Sequence, residues 1–230
     1  EAAAEPLPET KLKADEELEA GLQSDSELEF DSELEPDADP EPDFGLGTAV
    51  DTVAGVLRLV SRATGPMVVD GDGLTALAGG SALEQRRGVG PGAPPLVLTP
   101  HDGEFERLTG GRPGSDRIVA ARALAVPANA VVLLKGPTTV VAAPDGRVLL
   151  VTSGDQRLAT AGTGDVLAGM IGAILARGAD PLGAAAAAAH IHGLIAAAGP
   201  ETGVVAGDLP ALLVARLEAL GVDGAGRGAG

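Results

Sequence analysis

Three short runs of Val and Leu, separated by segments with helical spacing, constrain the fold of this chain more than any other feature. The runs are "MVVD" at 67–70, "LVLT" at 96–99 and "AVVLLK" at 130–135. Apolar runs without polar alternation are typical of strands that are buried on both faces. Because helical patterns separate them, we predict an α/β protein whose mostly parallel sheet is flanked by helices on both faces.

The helical segments follow from apolar residues three and four positions apart and from their end signals. The first begins near Val50, and another follows Pro100 with Phe105 and Leu108 facing inward. Four more are predicted, namely 115–126 with Ser115 as N-cap, 165–177 ended by Gly178, 181–198 with Asp180 as N-cap, and 208–220. The Gly- and Pro-rich stretch 81–95 is predicted to be a loop, and Pro144-Asp145-Gly146 to turn a hairpin within 138–152.

Charge is distributed unevenly and divides the chain into two predicted parts. Of its 33 acidic residues, 17 lie in the first 44 positions, where Lys11 and Lys13 are the only basic ones. Residues 1–42 contain too little apolar surface to offset the entropy of ordering, so we predict a disordered acidic segment followed by one domain over 43–230. No basic stripe and almost no aromatic residues are present, which argues against nucleic-acid binding.

The chain contains no Cys, so thiol catalysis, disulfides and Cys-based metal sites are excluded. No uninterrupted apolar run reaches the length of a bilayer span, and the first residues do not resemble a signal peptide. These observations predict a cytoplasmic protein without membrane contact.

In parallel sheets, ligands bind beyond the carboxyl ends of the strands, and four stretches of this chain place chemistry there. The most informative is "ATAGTGDVLAG" at 159–169, where small residues precede Asp165 at the start of a helix. Free backbone N–H groups and the positive end of the helix dipole would bind phosphate, and Asp165 could act as general base. From the residues alone, simple helix capping by Asp165 is an equal alternative.

The other three stretches follow the three Val/Leu strands directly. In "LLKGPTTVV" Lys135 could reach the crevice beside Thr138 and Thr139, or could simply lie in solvent. In "LTPHDGE" the side chains of residues 101–104 cluster: His101 could donate to a ligand, Glu104 could hold a cation or cap a helix, and a capping loop is the alternative. In "VVDGDGL", residues 68–74, paired acids could organise Mg²⁺ through water, unless they only form a solvated turn.

Other familiar patterns are missing or do not fit. His190 and His192 are two residues apart on a helix, so they face different sides and are assigned to packing or to the surface. The chain has no phosphate-binding loop of the G-x-x-x-x-G-K-[ST] type, no dinucleotide fingerprint after a strand and no G-x-S-x-G elbow.

Five pieces in order resemble the ADP-dependent (S)-NAD(P)H-hydrate dehydratase family, which has a ribokinase-like fold. They are "FGLGT" (44–48), "VVDGDGL" (68–74), "LTPHDGE" (98–104), "LLKGPTTVV" (133–141) and "ATAGTGDVLAGMIGAILARG" (159–178). The resemblance covers about residues 43–220. It implies ADP-dependent dehydration of (6S)-NAD(P)H hydrate back to NAD(P)H, giving AMP and phosphate.

The resemblance also implies the roles of individual residues. Nucleotide binding falls to Lys135, Gly136, Pro137, Thr138, Thr139 and Gly164, and substrate binding to Gly45, His101 and Asp165. Asp165 is also the implied catalytic base. The implied co-substrate is ADP or ATP, bound with Mg²⁺, and the resemblance does not identify the protein ligands of the metal. The implied small-molecule partners are the hydrates NADHX and NADPHX. The implied protein partners are further copies of the chain, in a homotetramer, and an epimerase.

Two loops depart from the family pattern. Its usual Gly-Pro-Gly-Leu-Gly stands here as Asp-Phe-Gly-Leu-Gly at 43–47, and its Asp-Ala-Asp-Ala-Leu as Asp-Gly-Asp-Gly-Leu at 70–74. The family's first βα units have no counterpart, so we expect an N-terminally incomplete domain. The alternatives are an ATP-dependent ribokinase-like kinase of a small alcohol, and an inactive domain that serves as an interaction module through its acidic tail.

Overall fold

The computed structural model describes residues 50–78, 83 and 93–219, and these residues form alternating helices and strands. The strands are β1 (Met67–Val69), β2 (Leu96–Leu98), β3 (Val131–Leu134), β4 (Thr139–Ala142) and β5 (Val148–Val151). The helices are α1 (Val50–Arg62), α2 (Asp72–Ala78), α3 (Asp102–Thr109), α4 (Arg117–Ala128), α5 (Thr163–Ala176), α6 (Pro181–Ala198) and α7 (Leu209–Ala219), and short 3₁₀ turns cover Gln156–Leu158 and Ala206–Asp208. The predicted segment 1–42, Gly45 and most of the predicted loop 81–95 lie outside the described residues.

The five strands form one sheet in the order β1-β2-β3-β4-β5. β1, β2 and β3 pair in parallel, with Val97 opposite Val131, whereas β4 pairs antiparallel with both β3 and β5. Four of these five strands therefore run in one direction. The predicted mostly parallel α/β sheet is confirmed.

Side-chain alternation along the central strands builds two cores. Leu98 and Leu134 lie on the face that packs against α1 to α4, while Val97 and Leu133 lie on the face that packs against α5 and α6. Leu98, Val97, Leu133 and Leu134 are all fully buried. This explains why the strands contain no polar alternation, because both of their faces exclude water.

The predicted hairpin joins β4 to β5. Ala143 N donates to Arg147 O at 2.9 Å, Gly146 N donates to Ala143 O at 3.0 Å, and Gly146 has a φ of +91°. Asp145 accepts a hydrogen bond from Arg147 N at 3.0 Å within this turn. Glycine suits the third turn position because a side chain there would be strained.

By length and composition, helix α6 could cross a membrane, because its 18 residues have a mean hydropathy of 1.3. No other helix among the described residues is both long and apolar enough to do so. The expectation that no segment approaches that length was therefore too strict. Leu182, Ala185 and Ala188 pack against the sheet, and Ile195 packs against Leu209 of α7. These contacts are those of a core helix.

Two details of the predicted helices are wrong. Asp116, and not Ser115, is the N-cap of α4, since its carboxylate accepts from Val119 N at 3.0 Å. A carboxylate also interacts favourably with the positive end of the helix dipole, whereas the uncharged hydroxyl of Ser115 gains less from it. Helix α5 begins at Thr163, two residues before the predicted start, because the left-handed Gly162 occupies the N-cap position.

Candidate active site

The ends of β1, β2 and β3 meet at one edge of the sheet, where each strand is followed by a residue with a polar side chain. Two backbone hydrogen bonds hold these ends in register: Thr99 N donates to Val69 O at 3.2 Å, and Lys135 N donates to Pro100 O at 2.8 Å. The structure thus brings together Asp70, the His101–Glu104 stretch and Lys135, which are far apart in the sequence. This is the edge where ligands bind in α/β proteins.

Lys135 is the centre of a charged cluster at this edge. Its Nζ atom lies 2.8 Å from Asp70 Oδ1 and 3.5 Å from Glu104 Oε2. The side chains of Lys135, Asp70 and Glu104 are 23%, 13% and 6% exposed, respectively. The alternative in which Lys135 simply lies in solvent is therefore wrong.

His101 and Glu104 form a reciprocal cap at the start of α3. His101 Nδ1 accepts from Gly103 N at 3.0 Å and from Glu104 N at 3.3 Å, and Glu104 Oε2 accepts from His101 N at 2.8 Å. An Nδ1 atom that accepts hydrogen bonds must be unprotonated, so the ring proton is assigned to Nε2. This geometry confirms the capping-loop alternative. His101 Nε2 lies 3.6 Å from Glu104 Oε1, beyond hydrogen-bond distance, on a side chain that is half exposed, so it can donate to a ligand.

The N-terminus of α5 lies against the Lys135 cluster. A Cβ atom added to Gly164 would lie 3.1 Å from Asp70 Oδ2 and 3.6 Å from Lys135 Nζ. The N-cap Gly162 has a φ of +83° and provides no side-chain cap. Within the described part of the chain, the N–H groups of Gly162 and Gly164 have no hydrogen-bond acceptor, so they are free to bind an anion.

Asp165 is the third residue of α5, and its side chain is exposed. Its carboxylate makes no hydrogen bond and no ion pair with the residues that the structure describes, and α5 has no side-chain cap. Asp165 therefore does not cap its own helix, which removes the alternative that the residues had left open. A carboxylate that is unpaired, exposed and next to an anion site can accept a proton from a ligand.

The loop after β3 carries the rest of the predicted nucleotide site. Gly136 and Pro137 are exposed, and Thr139 Oγ1 lies 3.5 Å from Gly136 O, at the long end of hydrogen-bond distances. Thr138 is partly buried beside them. The predicted residues of this loop thus lie in one turn that begins at the charged cluster.

Arg117 supports this loop and was missed in the sequence. Its Nη2 atom donates to Lys135 O at 2.7 Å, and its Nη1 atom pairs with Asp102 Oδ1 at 2.8 Å. A Cβ atom on Gly136 would lie only 2.6 Å from Arg117 Nη2, so glycine makes room for the guanidinium. No sequence signal indicates this role, because Arg117 stands at the start of a helix where an arginine is unremarkable.

No group of three or more metal-ligating side chains occurs among the described residues. Asp70, which was a candidate for organising Mg²⁺ through water, instead pairs with Lys135, and Asp72 lies in the first turn of α2. Of the predicted site residues, only Gly45 lies outside the described part. The others lie in the cluster or next to it, at the start of α3, in the segment from Lys135 to the start of β4, or in the first turn of α5.

Comparison with known proteins decides which family this arrangement belongs to. Residues 44–218 match the family model described as NAD(P)H-hydrate dehydratase. The chain belongs to the NAD(P)H-hydrate dehydratase family. It is 40% identical over 176 residues to an ADP-dependent (S)-NAD(P)H-hydrate dehydratase of Neisseria meningitidis serogroup B, covering 72% of this chain and 58% of that protein.

Two further members of the family extend the comparison. A bifunctional NAD(P)H-hydrate repair enzyme of Salinibacter ruber is 48% identical over 155 residues, which cover 66% of this chain and 28% of that enzyme. The crystal structure of a Bacillus subtilis ADP/ATP-dependent NAD(P)H-hydrate dehydratase, co-crystallised with ATP and Mg²⁺ and soaked with CoA, aligns with a TM-score of 0.63 and 32% identity. That alignment covers 74% of this chain and 62% of the Bacillus chain, and it confirms the predicted ribokinase-like fold.

The match spans less than two thirds of the length of each of these three relatives. The names of the relatives do not favour the alternative of a kinase acting on a small alcohol.

Proposed function

We propose that this chain dehydrates the (6S)-hydrates of NADH and NADPH at the expense of ADP, regenerating the reduced nicotinamide ring. One observation carries the proposal: in a member of this family, α5 begins with two free N–H groups, and its second residue, Gly164, lies beside Lys135 at the carboxyl edge of the sheet. That arrangement suits a transferring phosphoryl group, whose negative charge needs fixed donors and a nearby cation.

The nucleotide is assigned to the β3–β4 loop and to the start of α5. The residues proposed to bind it are Lys135, Gly136, Pro137, Thr138, Thr139 and Gly164. The exposed Gly136 and Pro137 leave the loop open to a ligand, and a side chain at position 164 would fill the space beside Lys135. An ammonium already surrounded by Asp70 and Glu104 would exchange part of its pairing for phosphate oxygens.

The hydrated nicotinamide nucleotide is assigned to Gly45, His101 and Asp165. His101 Nδ1 is occupied by the cap of α3, so Nε2–H is the atom that would donate to the substrate. Asp165, exposed and unpaired among the described residues, would take the proton of the substrate hydroxyl. We assign it the role of general base.

The proposed reaction balances in two steps. The ring hydroxyl oxygen attacks the β-phosphorus of ADP, its proton passes to Asp165, and the bond to AMP breaks. The carbon–oxygen bond of the resulting phosphate ester then breaks with release of phosphate, and loss of a proton from the neighbouring ring carbon restores the double bond. The N–H groups of Gly162 and Gly164 would bind the phosphoryl oxygens while charge develops on them.

Mg²⁺ would neutralise the phosphates of the bound nucleotide. The described residues offer no cage of three ligands, and Asp70 and Glu104 are both engaged with Lys135. Mg²⁺ commonly keeps several waters and binds through substrate phosphates, so the absence of a cage in these residues fits a nucleotide-bound ion. We assign no step of the reaction to the metal.

The proposal also covers partners, assembly and location. The Salinibacter relative is named a bifunctional repair enzyme, which supports an epimerase as the second activity that supplies the (S) hydrate. We propose that the chain acts on NADHX or NADPHX with ADP, as a homotetramer, and in the cytoplasm, where these nucleotides are abundant. Size measurement in solution with light scattering tests the assembly directly.

The test of the function is a reaction with purified protein, NADH hydrate, ADP and Mg²⁺. We expect recovery of the absorbance of the reduced ring together with equal release of phosphate. Asp165→Asn should reduce turnover by about two to four orders of magnitude, as expected for loss of a general base, and leave ADP binding unchanged. A folded wild-type protein that restores no NADH would refute the proposal, and a stable phosphorylated product would indicate a kinase instead.

A further inference from the structure

The guanidinium of Arg117 contacts two loops that the proposed function assigns to different ligands. Its Nη2 atom donates to Lys135 O at 2.7 Å, where the proposed nucleotide loop (135–139) begins. Its Nη1 atom lies 2.8 Å from Asp102 Oδ1. Asp102 is the first residue of α3 and directly follows His101, which is assigned to the substrate. One side chain therefore joins the nucleotide loop to the loop that carries His101.

Both backbone groups of Lys135 are tied to the same neighbouring stretch of chain. Its N–H donates directly to Pro100 O at 2.8 Å. Its carbonyl is held through Arg117, whose other terminal nitrogen is bound by Asp102. The backbone of Lys135 is thus fixed on both sides of its Cα atom, and the same bonds orient the side chain that carries the ammonium.

The guanidinium also packs closely against the second residue of the nucleotide loop. A Cβ atom on Gly136 would lie 2.6 Å from Arg117 Nη2 and 3.0 Å from Arg117 Cζ. Gly136 is not among the described glycines that have a positive φ. The contact with Arg117, and not the backbone conformation, is therefore what disfavours a side chain at position 136.

Stability alone does not explain why an arginine occupies position 117. Its Nε atom is buried and has no hydrogen-bond partner among the described residues. Burying a polar group without a partner costs free energy, and a methionine of similar length would avoid that cost. The ion pair offsets little of it, because the side chain of Asp102 is half exposed to solvent. Local costs of this kind are typical of functional sites.

We propose that Arg117 is a positioning residue that keeps the nucleotide loop in register with the loop carrying His101, so that the two ligands bind in a fixed relation to each other. The inference rests on the proposed function, because that function assigns the two loops to ADP and to the hydrated nucleotide. The planar guanidinium suits this role, since its donors serve the Lys135 carbonyl and the Asp102 carboxylate at once. The compact ammonium of a lysine cannot reproduce that fork.

The first experiment measures ADP affinity by calorimetry. We expect Arg117→Met to bind ADP about tenfold more weakly than the wild type, the effect of losing one hydrogen bond to a charged group. Arg117→Lys should stay close to the methionine variant, although it keeps the positive charge. Arg112→Met is the control, because it removes an exposed arginine that pairs with Glu106 of α3 at 3.2 Å, and its affinity should stay at the wild-type value. Unchanged affinity in Arg117→Met, or full recovery by lysine, would overturn the positioning role.

A double-mutant cycle with Asp102 separates positioning from electrostatics by the sign of the effect. Asp102→Asn removes a negative charge near the nucleotide loop, so a purely electrostatic role predicts tighter binding of ADP. Because the carboxylate holds Arg117, we expect binding to weaken instead, by about fivefold. In the Arg117→Met background the same substitution should leave the affinity unchanged. Tighter binding in the single variant, or an equal loss in both backgrounds, would overturn the link through Arg117.

Hydrogen exchange tests the same role without a nucleotide. The N–H of Lys135 donates to Pro100 O, so its exchange reports on the attachment of the nucleotide loop. It should exchange about tenfold faster in Arg117→Met and at the wild-type rate in Arg112→Met. The N–H of Leu133, on the fully buried central strand, reports on global stability and should be accelerated less. Equal acceleration at both positions, or none at Lys135, would overturn the positioning role. A wild type that binds no ADP would contradict the proposed function, and the exchange at Lys135 would still decide the role of Arg117.

Discussion

At the scale of single residues, the site depends on one ammonium group between two carboxylates. Lys135 lies 2.8 Å from Asp70 and 3.5 Å from Glu104, and all three side chains are mostly buried. Glu104 has a second task, because it also accepts from the backbone N–H of His101. Removing the lysine would leave two like charges close together with little water between them.

Lys135→Met should therefore lower the free energy of unfolding by about 2 kcal/mol, less than for a fully buried pair because the lysine is partly exposed. ADP affinity should fall as well. Urea unfolding monitored by circular dichroism measures the stability change. The control is Arg147→Met, which breaks exposed pairs with Asp145 and Asp180 and should change stability by less than about 1 kcal/mol.

Of the single-residue contacts at the site, those of Glu104 could be predicted from the sequence, whereas that of Arg117 could not. "LTPHDGE" suggested that Glu104 could cap a helix or hold a cation, and in the structure it does both. Arg117 gave no signal, because its contact with Lys135 O joins positions 18 residues apart, across the whole of α4 and β3. Local sequence patterns carry information about helix caps, whereas they carry none about which distant carbonyl a long side chain reaches.

At the scale of elements, α6 depends on small residues where it meets the chain before α5. Gly193 lies so close to Ser153 and Gly154 that a Cβ atom would overlap their backbone atoms. Backbone cannot move aside as a flexible side chain can. Gly169 on α5 is the opposite case, since nothing lies within 4 Å of the space that its Cβ would occupy.

Gly193→Ala should destabilise the protein by about 1–3 kcal/mol through overpacking. Gly169→Ala should instead stabilise it by about 0.5–1 kcal/mol, because alanine favours a helix over glycine where space is free. Thermal unfolding of both variants measures whether each substitution lowers or raises the stability of the protein. Stabilisation of both would mean that α6 does not approach the Ser153–Gly154 loop as closely as described here.

The start of α6 was predicted correctly from its end signals. Asp180 caps α6 by accepting from Gly183 N at 2.9 Å, with Pro181 in the first turn as predicted. On α4, however, the residues facing inward are Ala121, Leu124, Ala125 and Ala128, while Val119 and Val126 are exposed. The buried face of α4 is therefore mostly alanine, although the sequence offers larger valines at neighbouring positions.

At the scale of the whole molecule, His192 links stability to pH. Its pKa is lowered by burial from 6.5 to about 4 in the folded state, so between these values the unfolded chain binds a proton that the folded chain excludes. The free energy of unfolding should therefore fall as the pH drops from about 6.5 to about 4. The loss attributable to this group reaches about 3 kcal/mol at the acid end.

Urea unfolding at pH 7 and at pH 4.5 tests this linkage. The loss of stability between the two conditions should be smaller in His192→Leu than in the wild type, because the leucine variant has no such group to protonate. His190→Gln is the control, since His190 is exposed, and it should keep the wild-type loss. An identical pH dependence in all three proteins would contradict the buried, neutral histidine.

The sequence by itself determined the class of fold and where its chemistry would gather. Uninterrupted Val and Leu runs require burial on both faces, and parallel strands bring their carboxyl ends to one edge, so the positions of Lys135 and the His101 loop followed from local pattern and topology. The ordered motifs were also enough to indicate the family. These properties depend on residues that are near one another in the chain or repeat with a regular period.

Only the tertiary structure decided which partners those residues have. It placed Gly164 against Asp70 and Lys135, left the Asp165 carboxylate without a capping hydrogen bond, and buried His192 within α6. Each of these contacts joins elements that are separate in sequence, so its geometry depends on how helices pack on the sheet. From the sequence, a helix-capping role and a free carboxylate were equally good predictions for Asp165, because both depend on the same local residues. Only the folded structure distinguished between them.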